Sequence, residues 1–416
     1  MEPELVTVGN ELLLGHTVDT NAAEIAEALA AVGFRLSRRT TVGDDPTAIG
    51  NAVAEALDRA GTVIVTGGLG PTRDDVTKRA VAELYGVPLE LDPAYLAELE
   101  RRFTRLRRGP LPASNRCQAE IPRGASRIPN PRGTAQGLVL EGALGTAVLL
   151  PGVPHEMRAM LRDSVVPLLV RRIRASGGPE RIIRSLTLRT TGITESGLAD
   201  ALEPIAATLS PVTLAFLPGW DGVDLRLTTA ARDSPEADRV LAEAATRLAP
   251  ALGDRCYGRN REDLAEVILG RLRALRWTVA TAESCTGGLL GSRLTAVPGA
   301  SDAYVGGVVA YANAAKVREL GVPAHLLDRE GAVSEAVAAA MAEGVARRFA
   351  ADAAIAVTGI AGPGGGTATK PVGTVWIAAW AGGTRRARCV RFPGGRDEVR
   401  HRSAQAALDL LRSVLA

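Results

Sequence analysis

The sequence predicts an α/β protein in which two α/β/α three-layer domains are joined by a small α+β middle module. Three observations predict it. Short apolar runs rich in β-branched residues alternate with alanine-rich stretches of helical period over residues 1–175 and again over 255–416. Several of those runs stop in a glycine turn that opens a helix, as strand-to-helix loops do in open α/β sheets. Ser176, Gly177, Gly178 and Pro179 read as a linker, after which the pattern over 180–252 changes.

In the first domain, residues 5–8 form a strand, 21–32 and 46–59 helices, 62–66 a second strand, and 75–85 a helix entered through a glycine turn. A strand at 147–150 ends in Pro151, Gly152, Val153 and Pro154, and a helix over 155–174 closes the domain. The middle module has strands at 183–189, 213–216 and 223–230 and helices at 195–202 and 235–248. The last domain runs helix 263–275, strand 278–282, helix 289–295, strand 307–312, helix 334–349 and strand 354–358. Strands at 372–379 and 386–392 and a helix over 396–415 complete it. Neither an internal repeat nor a low-complexity segment interrupts this order.

Composition narrows the class. With 46% hydrophobic residues and 45 glycines in 416, the chain folds throughout. A net charge of +3 from 49 basic and 46 acidic residues is too balanced for a nucleic-acid footprint, so nucleic acid is not an expected partner. The cluster Arg101, Arg102, Arg105, Arg107 and Arg108 reads as a solvated helix face. Four scattered cysteines suggest neither zinc nor a disulfide framework, which fits a reducing cytoplasm. Met1 leads straight into a strand-like segment, and no run reaches the roughly 18 apolar residues of a membrane span, so a cytoplasmic protein without a membrane partner is expected.

Only Lys78, Lys316 and Lys370 are lysines; the other 46 basic residues are arginine. Arginine stays charged at any accessible pH, whereas a desolvated lysine can become a neutral base. Each lysine also lies in a distinctive motif. The stretch from Thr66 to Asp75 places Gly67, Gly68 and Gly70 between a strand and a helix, where backbone amides can approach a phosphate. Asp74 and Asp75 would hold a divalent cation against that phosphate, with Lys78 one turn on as counter-charge; alternatively, Asp75 is a helix N-cap and Asp74 a turn residue. Glu11, Asp19 and Asn21 form a second polar cluster at the same sheet edge.

The sharper chemistry lies in Glu283, Ser284, Cys285, Thr286, Gly287 and Gly288, between the strand at 278–282 and the next helix. Serine needs a base, and none of the four histidines sits in an obvious serine-partner motif. Lys316 follows Tyr311, Ala312 and Asn313 after the next strand, so its loop opens at the same edge and a neutral amine there would activate Ser284. Ser284 as a helix N-cap and Cys285 as a rival nucleophile remain open. The loop from Thr358 through Gly362 and Gly365 to Lys370 suits a phosphate nest or a flexible hairpin.

TAESCTGG from Thr281, GGVVAYANAAK from Gly306, GAVSE from Gly331, and VTGIAGPGGG with KPVGTVW closely resemble the C-terminal domain of the CinA family, whose members include nicotinamide mononucleotide deamidase. VGNELLLGHTVDTN, TGGLGPTRDD and PGVPHEM resemble its N-terminal domain, which is similar to molybdopterin-binding domains of the MoaB and MogA type. The resemblance covers nearly the whole chain. It implies a C-terminal amidase that converts nicotinamide mononucleotide to nicotinate mononucleotide and ammonia without a cofactor. Ser284 and Lys316 would be nucleophile and base, with Tyr311 beside them. Thr286, Gly287, Asn313, Thr358, Gly362, Gly365, Lys370 and Arg400 would contact the nucleotide. It also implies an N-terminal ADP-ribose pyrophosphatase that uses a divalent metal, alone or with a monovalent cation, held by Asp74 and Asp75 beside Gly68, Gly70 and Lys78. A homodimer is implied as well. The sequence departs from the family pattern at Arg73, where lysine is common, and at Gln136 after Ala135, where proline is usual. Two other readings stand beside this one: a non-catalytic pterin- or nucleotide-binding N-terminal domain, and a competence-associated accessory protein.

Overall fold

The computed structural model describes residues 2–105, 109–175 and 182–415. Arg107, Arg108 and the linker tetrapeptide at 176–179 lie outside the described residues. Two compact units emerge, Met1–Arg184 with Thr229–Arg239, and Ser185–Thr228 with Val240–Ala416.

In the first unit a six-stranded sheet runs in the order Arg39–Val42, Glu4–Val8, Thr62–Thr66, Gly145–Leu150, Gly137–Gly142, Ser126–Ile128. The first four strands are parallel, Gly137–Gly142 runs against them, and Ser126–Ile128 pairs antiparallel with Gly137–Gly142. Register explains why both faces are apolar: Leu5, Ile64 and Val148 stand in one cross-sheet row, and Val6, Val65 and Leu149 in the next. Because side chains alternate along a strand, the first row packs against Ile25, Leu29 and Met157 and the second against Ile49, Val53 and Val81. Helix Pro46–Ala60 shows the local grammar. Asp45 caps it by accepting from the Ala48 N–H at 2.8 Å, proline occupies its first turn, and Gly61 ends it at φ 65°.

In the second unit the strands Thr213–Pro218, Val223–Ala231, Ile182–Thr190 and Cys256–Arg259 form an antiparallel sheet in that order, with Leu188, Leu225 and Leu227 buried against Leu198, Leu202 and Leu248. Its fourth strand is absent from the sequence reading, which begins the last domain at 255; four residues carry too little periodicity to betray a strand. The remaining sheet is ordered Tyr304–Val309, Val279–Glu283, Ala353–Gly359, Thr374–Ala381, Thr384–Arg391. Its first three strands are parallel, so all three end at one carboxyl edge. The centre of one face is alanine: Ala280, Ala282, Ala354, Ala356 and Ala378 pack against helix Glu335–Phe349, with Val308, Trp376 and Trp380 around them. No described helix is long and apolar enough to cross a membrane.

Two corrections bear on the site. The strand expected at 307–312 is Tyr304–Val309, and Asn313–Leu320 is a helix rather than a loop, so Lys316 sits on its fourth residue. The helix expected from 75 is Thr77–Leu84, with Asp75 in the preceding turn. Gly344 seats the Lys316 helix. A Cβ there would lie 1.9 Å from the Leu320 carbonyl oxygen, so backbone approaches backbone where only hydrogen fits. We expect Gly344→Ala to destabilise the unit by about 1–3 kcal/mol, read as a lower denaturant midpoint; an unchanged midpoint would show that the contact is slack.

Candidate active site

Ser284 follows the strand Val279–Glu283 at the carboxyl edge, 7% exposed, with its N–H bonded to the Val357 carbonyl at 2.9 Å. The next parallel strand ends at Val309, and two turns of chain later Lys316 points back. Its Nζ donates to Ser284 Oγ at 3.0 Å, to the Ala310 carbonyl at 2.9 Å and to the Tyr311 carbonyl at 3.0 Å. Lys316 is 1% exposed, and this burial pushes its pKa below the usual lysine value. No carboxylate is among its partners. With two N–H bonds on the carbonyls, the amine in its neutral form would keep its lone pair for the serine hydroxyl, the arrangement a general base requires.

The remaining alternatives for this loop resolve geometrically. Ser284 is not a helix cap, because the helix begins at Leu289 with Gly288 before it at φ 96°. Cys285 is buried and its thiol is pushed up to about 12, so it stays protonated at neutral pH and is a poor nucleophile. The N–H groups of Cys285 and Thr286 bond no carbonyl oxygen among the described residues.

Glu283, which the sequence reading assigned no role, holds the loop. Its buried carboxylate accepts from the N–H groups of Gly288 at 2.9 Å, Leu290 at 3.0 Å and Gly291 at 2.8 Å. An acid ending an otherwise apolar strand was the available signal, since a carboxylate enters a core only with donors waiting.

Ser284, Lys316, Tyr311, Asn313 and Thr358 line one cavity of about 180 Å³. Arg396 lines it too and was missed; its guanidinium donates to the Gly362 carbonyl at 2.7 Å and to Tyr311 Oη at 3.0 Å. No spacing rule relates residue 396 to residue 284. Thr286, Gly287, Gly362, Gly365, Arg400 and Lys370 do not line the cavity. Arg400 lies nearby, donating to the Thr286 carbonyl at 3.0 Å. Lys370 belongs to a separate groove, where its Nζ donates to the Glu330 carbonyl at 2.6 Å, and the Gly365 loop is closed internally by Thr367 and Lys370. The phosphate nest expected with Lys370 therefore does not face Ser284.

In the first unit, Gly68, Gly70, Asp74 and Asp75 line a cavity of about 390 Å³, together with Glu11 and Glu156. Gly67 crosses the end of the first strand at φ 112°, where a Cβ would lie 2.2 Å from the Val8 carbonyl oxygen. Asp75 is not a helix cap: its Oδ2 accepts from the Thr72 N–H at 2.8 Å and from the Thr72 hydroxyl. Asp74, next to the Thr72 side chain and its own backbone N–H, has its carboxyl held below its ordinary range. Lys78 does not line this cavity. Its Nζ donates to the Cys117 carbonyl at 2.5 Å, and burial lowers its pKa, so the counter-charge expected from it is directed elsewhere.

The chain matches three described families: "Probable molybdopterin binding domain" over residues 4–171, "Damage-inducible protein CinA KH domain" over 185–258, and "CinA C-terminal domain" over 261–415. It is 52% identical to a CinA-like protein of Gemmatimonas aurantiaca, spanning 100% of this chain and 97% of that one. It is 46% identical to a CinA-like protein of Gloeobacter violaceus, over 98% and 95%. Among solved structures, the competence/damage inducible protein CihA from Agrobacterium tumefaciens is 44% identical over 36% of this chain and 93% of its own, with a TM-score of 0.36.

The site geometry makes Glu283 a positioning residue. We expect Glu283→Ala to lower stability by about 2–4 kcal/mol, because three buried donors lose a charged acceptor. Glu283→Gln, which keeps one acceptor oxygen, should lose less in the same denaturation experiment.

Proposed function

The chain belongs to the CinA family, and we propose that its C-terminal domain hydrolyses the carboxamide of nicotinamide mononucleotide to nicotinate mononucleotide and ammonia. The observation that carries this reading is the buried contact of Lys316 Nζ with Ser284 Oγ at 3.0 Å, its other two bonds going to backbone carbonyls. Neutral Lys316 takes the Ser284 hydroxyl proton as Oγ bonds to the carboxamide carbon. The carbonyl electrons move to oxygen, where a backbone N–H of this loop would stabilise the charge. Collapse of that adduct breaks the C–N bond, and Lys316 returns the proton to the leaving nitrogen, which departs as ammonia. Water then attacks the Ser284 ester, with Lys316 again accepting the proton, and the carboxylate product leaves with Oγ reprotonated.

For the N-terminal domain we propose a metal-dependent ADP-ribose pyrophosphatase that yields AMP and ribose 5-phosphate. Among the described residues no group of three His, Cys, Asp or Glu side chains gathers to hold a metal ion. Asp74 and Asp75 on one cavity instead suit a divalent cation that keeps waters and completes its shell with ligand phosphate oxygens. When bound, such an ion would neutralise diphosphate charge, which no lysine or arginine lining that cavity does.

Ser284→Ala and Lys316→Arg should each lower ammonia release from nicotinamide mononucleotide by at least about a thousandfold; full activity in either variant would sink the dyad. Arginine is the informative replacement because it keeps charge and cannot become neutral. The pH profile follows from the lowered Lys316 pKa. The protonated amine has no lone pair, so kcat/KM should rise with pH and level off above a midpoint below lysine's ordinary value. A rate that falls with pH over that range would exclude Lys316 as the base. In the other domain, Asp74→Asn should abolish metal-dependent AMP formation from ADP-ribose, assayed by product identification.

A further inference from the structure

The cavity at Ser284 has room for only part of a mononucleotide. At about 180 Å³ it falls below the roughly 300–1,000 Å³ typical of sites that enclose a whole ligand. A carboxamide-bearing ring fits, and the sugar phosphate must lie on the rim. Two rims are available. Across Val333 lies the groove of about 1,040 Å³ that contains Lys370, but Glu330, Glu335 and Glu343 line it, and its cations are engaged: Lys370 with the Glu330 carbonyl, Arg347 and Arg385 with Glu343. On that rim three glutamates offset Lys370, Arg347 and Arg385, so it carries no net positive charge for a phosphate.

The other rim is the first two turns of helix Arg396–Val414. Arg396 lines the cavity, and Arg400, one turn on, reaches the Thr286 carbonyl two residues beyond Ser284. Asp397 takes a second arm of Arg400 at 3.3 Å, which leaves further guanidinium donors. Beside Arg400 stands His401, and over its ring lies Trp220, with centroids 4.9 Å apart. Trp220 comes from the hairpin tip between strands Thr213–Pro218 and Val223–Ala231 of the middle module. That tip is anchored to the same surface: Asp221 pairs at 3.5 Å with Arg293, itself fixed by Asp263 and Gln405. Of the four tryptophans only Trp220 is exposed, at 50%. An indole held half bare over His401, the residue after Arg400, is suited to cover an apolar or sugar face.

We propose that the middle module completes the amidase site, with Trp220 covering the sugar of the mononucleotide at the rim that carries Arg400. The inference rests on the amidase reading above. It explains why a nucleotide would bind at a cavity too small to hold it, and it makes the middle module part of substrate recognition.

Two measurements test it on the full chain. Trp220→Ala should raise KM for nicotinamide mononucleotide about tenfold with kcat nearly unchanged, and Trp220→Phe should restore KM to within about threefold. A purely structural role would lower kcat or stability and would not be rescued by a second aromatic ring. In the Ser284→Ala background, which binds without turnover, nicotinamide mononucleotide should change the tryptophan fluorescence, and that change should vanish when Trp220→Phe is added. Ammonia release with an unaltered KM in Trp220→Ala, or a fluorescence change that survives Trp220→Phe, overturns this inference and leaves the amidase standing. No ammonia release from the unmutated chain overturns both.

Discussion

Burying the Lys316 amine at the carboxyl edge of the C-terminal sheet sets the terms for everything around it. An ammonium removed from water loses hydration that only strong partners replace, and here the partners are two peptide carbonyls and one hydroxyl, with no carboxylate. Three acceptors could serve the three N–H bonds of the charged form. The neutral form satisfies the same contacts with two donated bonds and one accepted bond from Ser284. Burial decides between them by penalising the charged form, so the fold itself biases Lys316 towards proton acceptance.

That bias needs a framework that cannot relax. Parallel pairing of Tyr304–Val309 with Val279–Glu283 brings both chain ends to the same edge, and the Ala310 N–H bonds the Glu283 carbonyl at 2.8 Å just before the turn. From there the carbonyls of Ala310 and Tyr311 are fixed within reach of the amine. On the serine side the Glu283 carboxylate gathers three N–H groups and so fixes the backbone just beyond the nucleophile. The alanine face of the sheet lets helix Glu335–Phe349 come close, and Gly344 on that helix admits the end of the Lys316 helix. Small side chains and one buried acid thus determine where the two reactive groups meet.

The layers, the strand-to-helix loops and the pairing of Ser284 with Lys316 were legible because apolar periodicity and residue chemistry are local signals. Helix Asn313–Leu320 was not, since AKVREL has helix-forming residues but too short an apolar pattern beside a glycine-rich strand. The three-residue strands Leu89–Leu91, Glu120–Pro122 and Ser126–Ile128 were hidden for a similar reason. Arg396 and Trp220 lie far in sequence from Ser284, and only tertiary packing brings their elements to one surface. For Lys370 and Lys78 a basic residue near glycines reads as a phosphate ligand, whereas the direction of its side chain is set by packing that the sequence does not show.

Their directions give the scarcity of lysine a sharper meaning. All three lysines end on backbone carbonyls: Lys78 on Cys117, Lys370 on Glu330, and Lys316 on Ala310 and Tyr311. Holding a carbonyl is a task that arginine also performs in this chain, as Arg102 does for Asn130 and Gly133 and Arg396 for Gly362. Carbonyl binding therefore cannot be what singles out Lys316. What differs is the third contact, a buried serine hydroxyl, to which a guanidinium would have no lone pair to offer. An arginine at 316 could keep the carbonyl contacts but could not supply the lone pair that the proposed base needs.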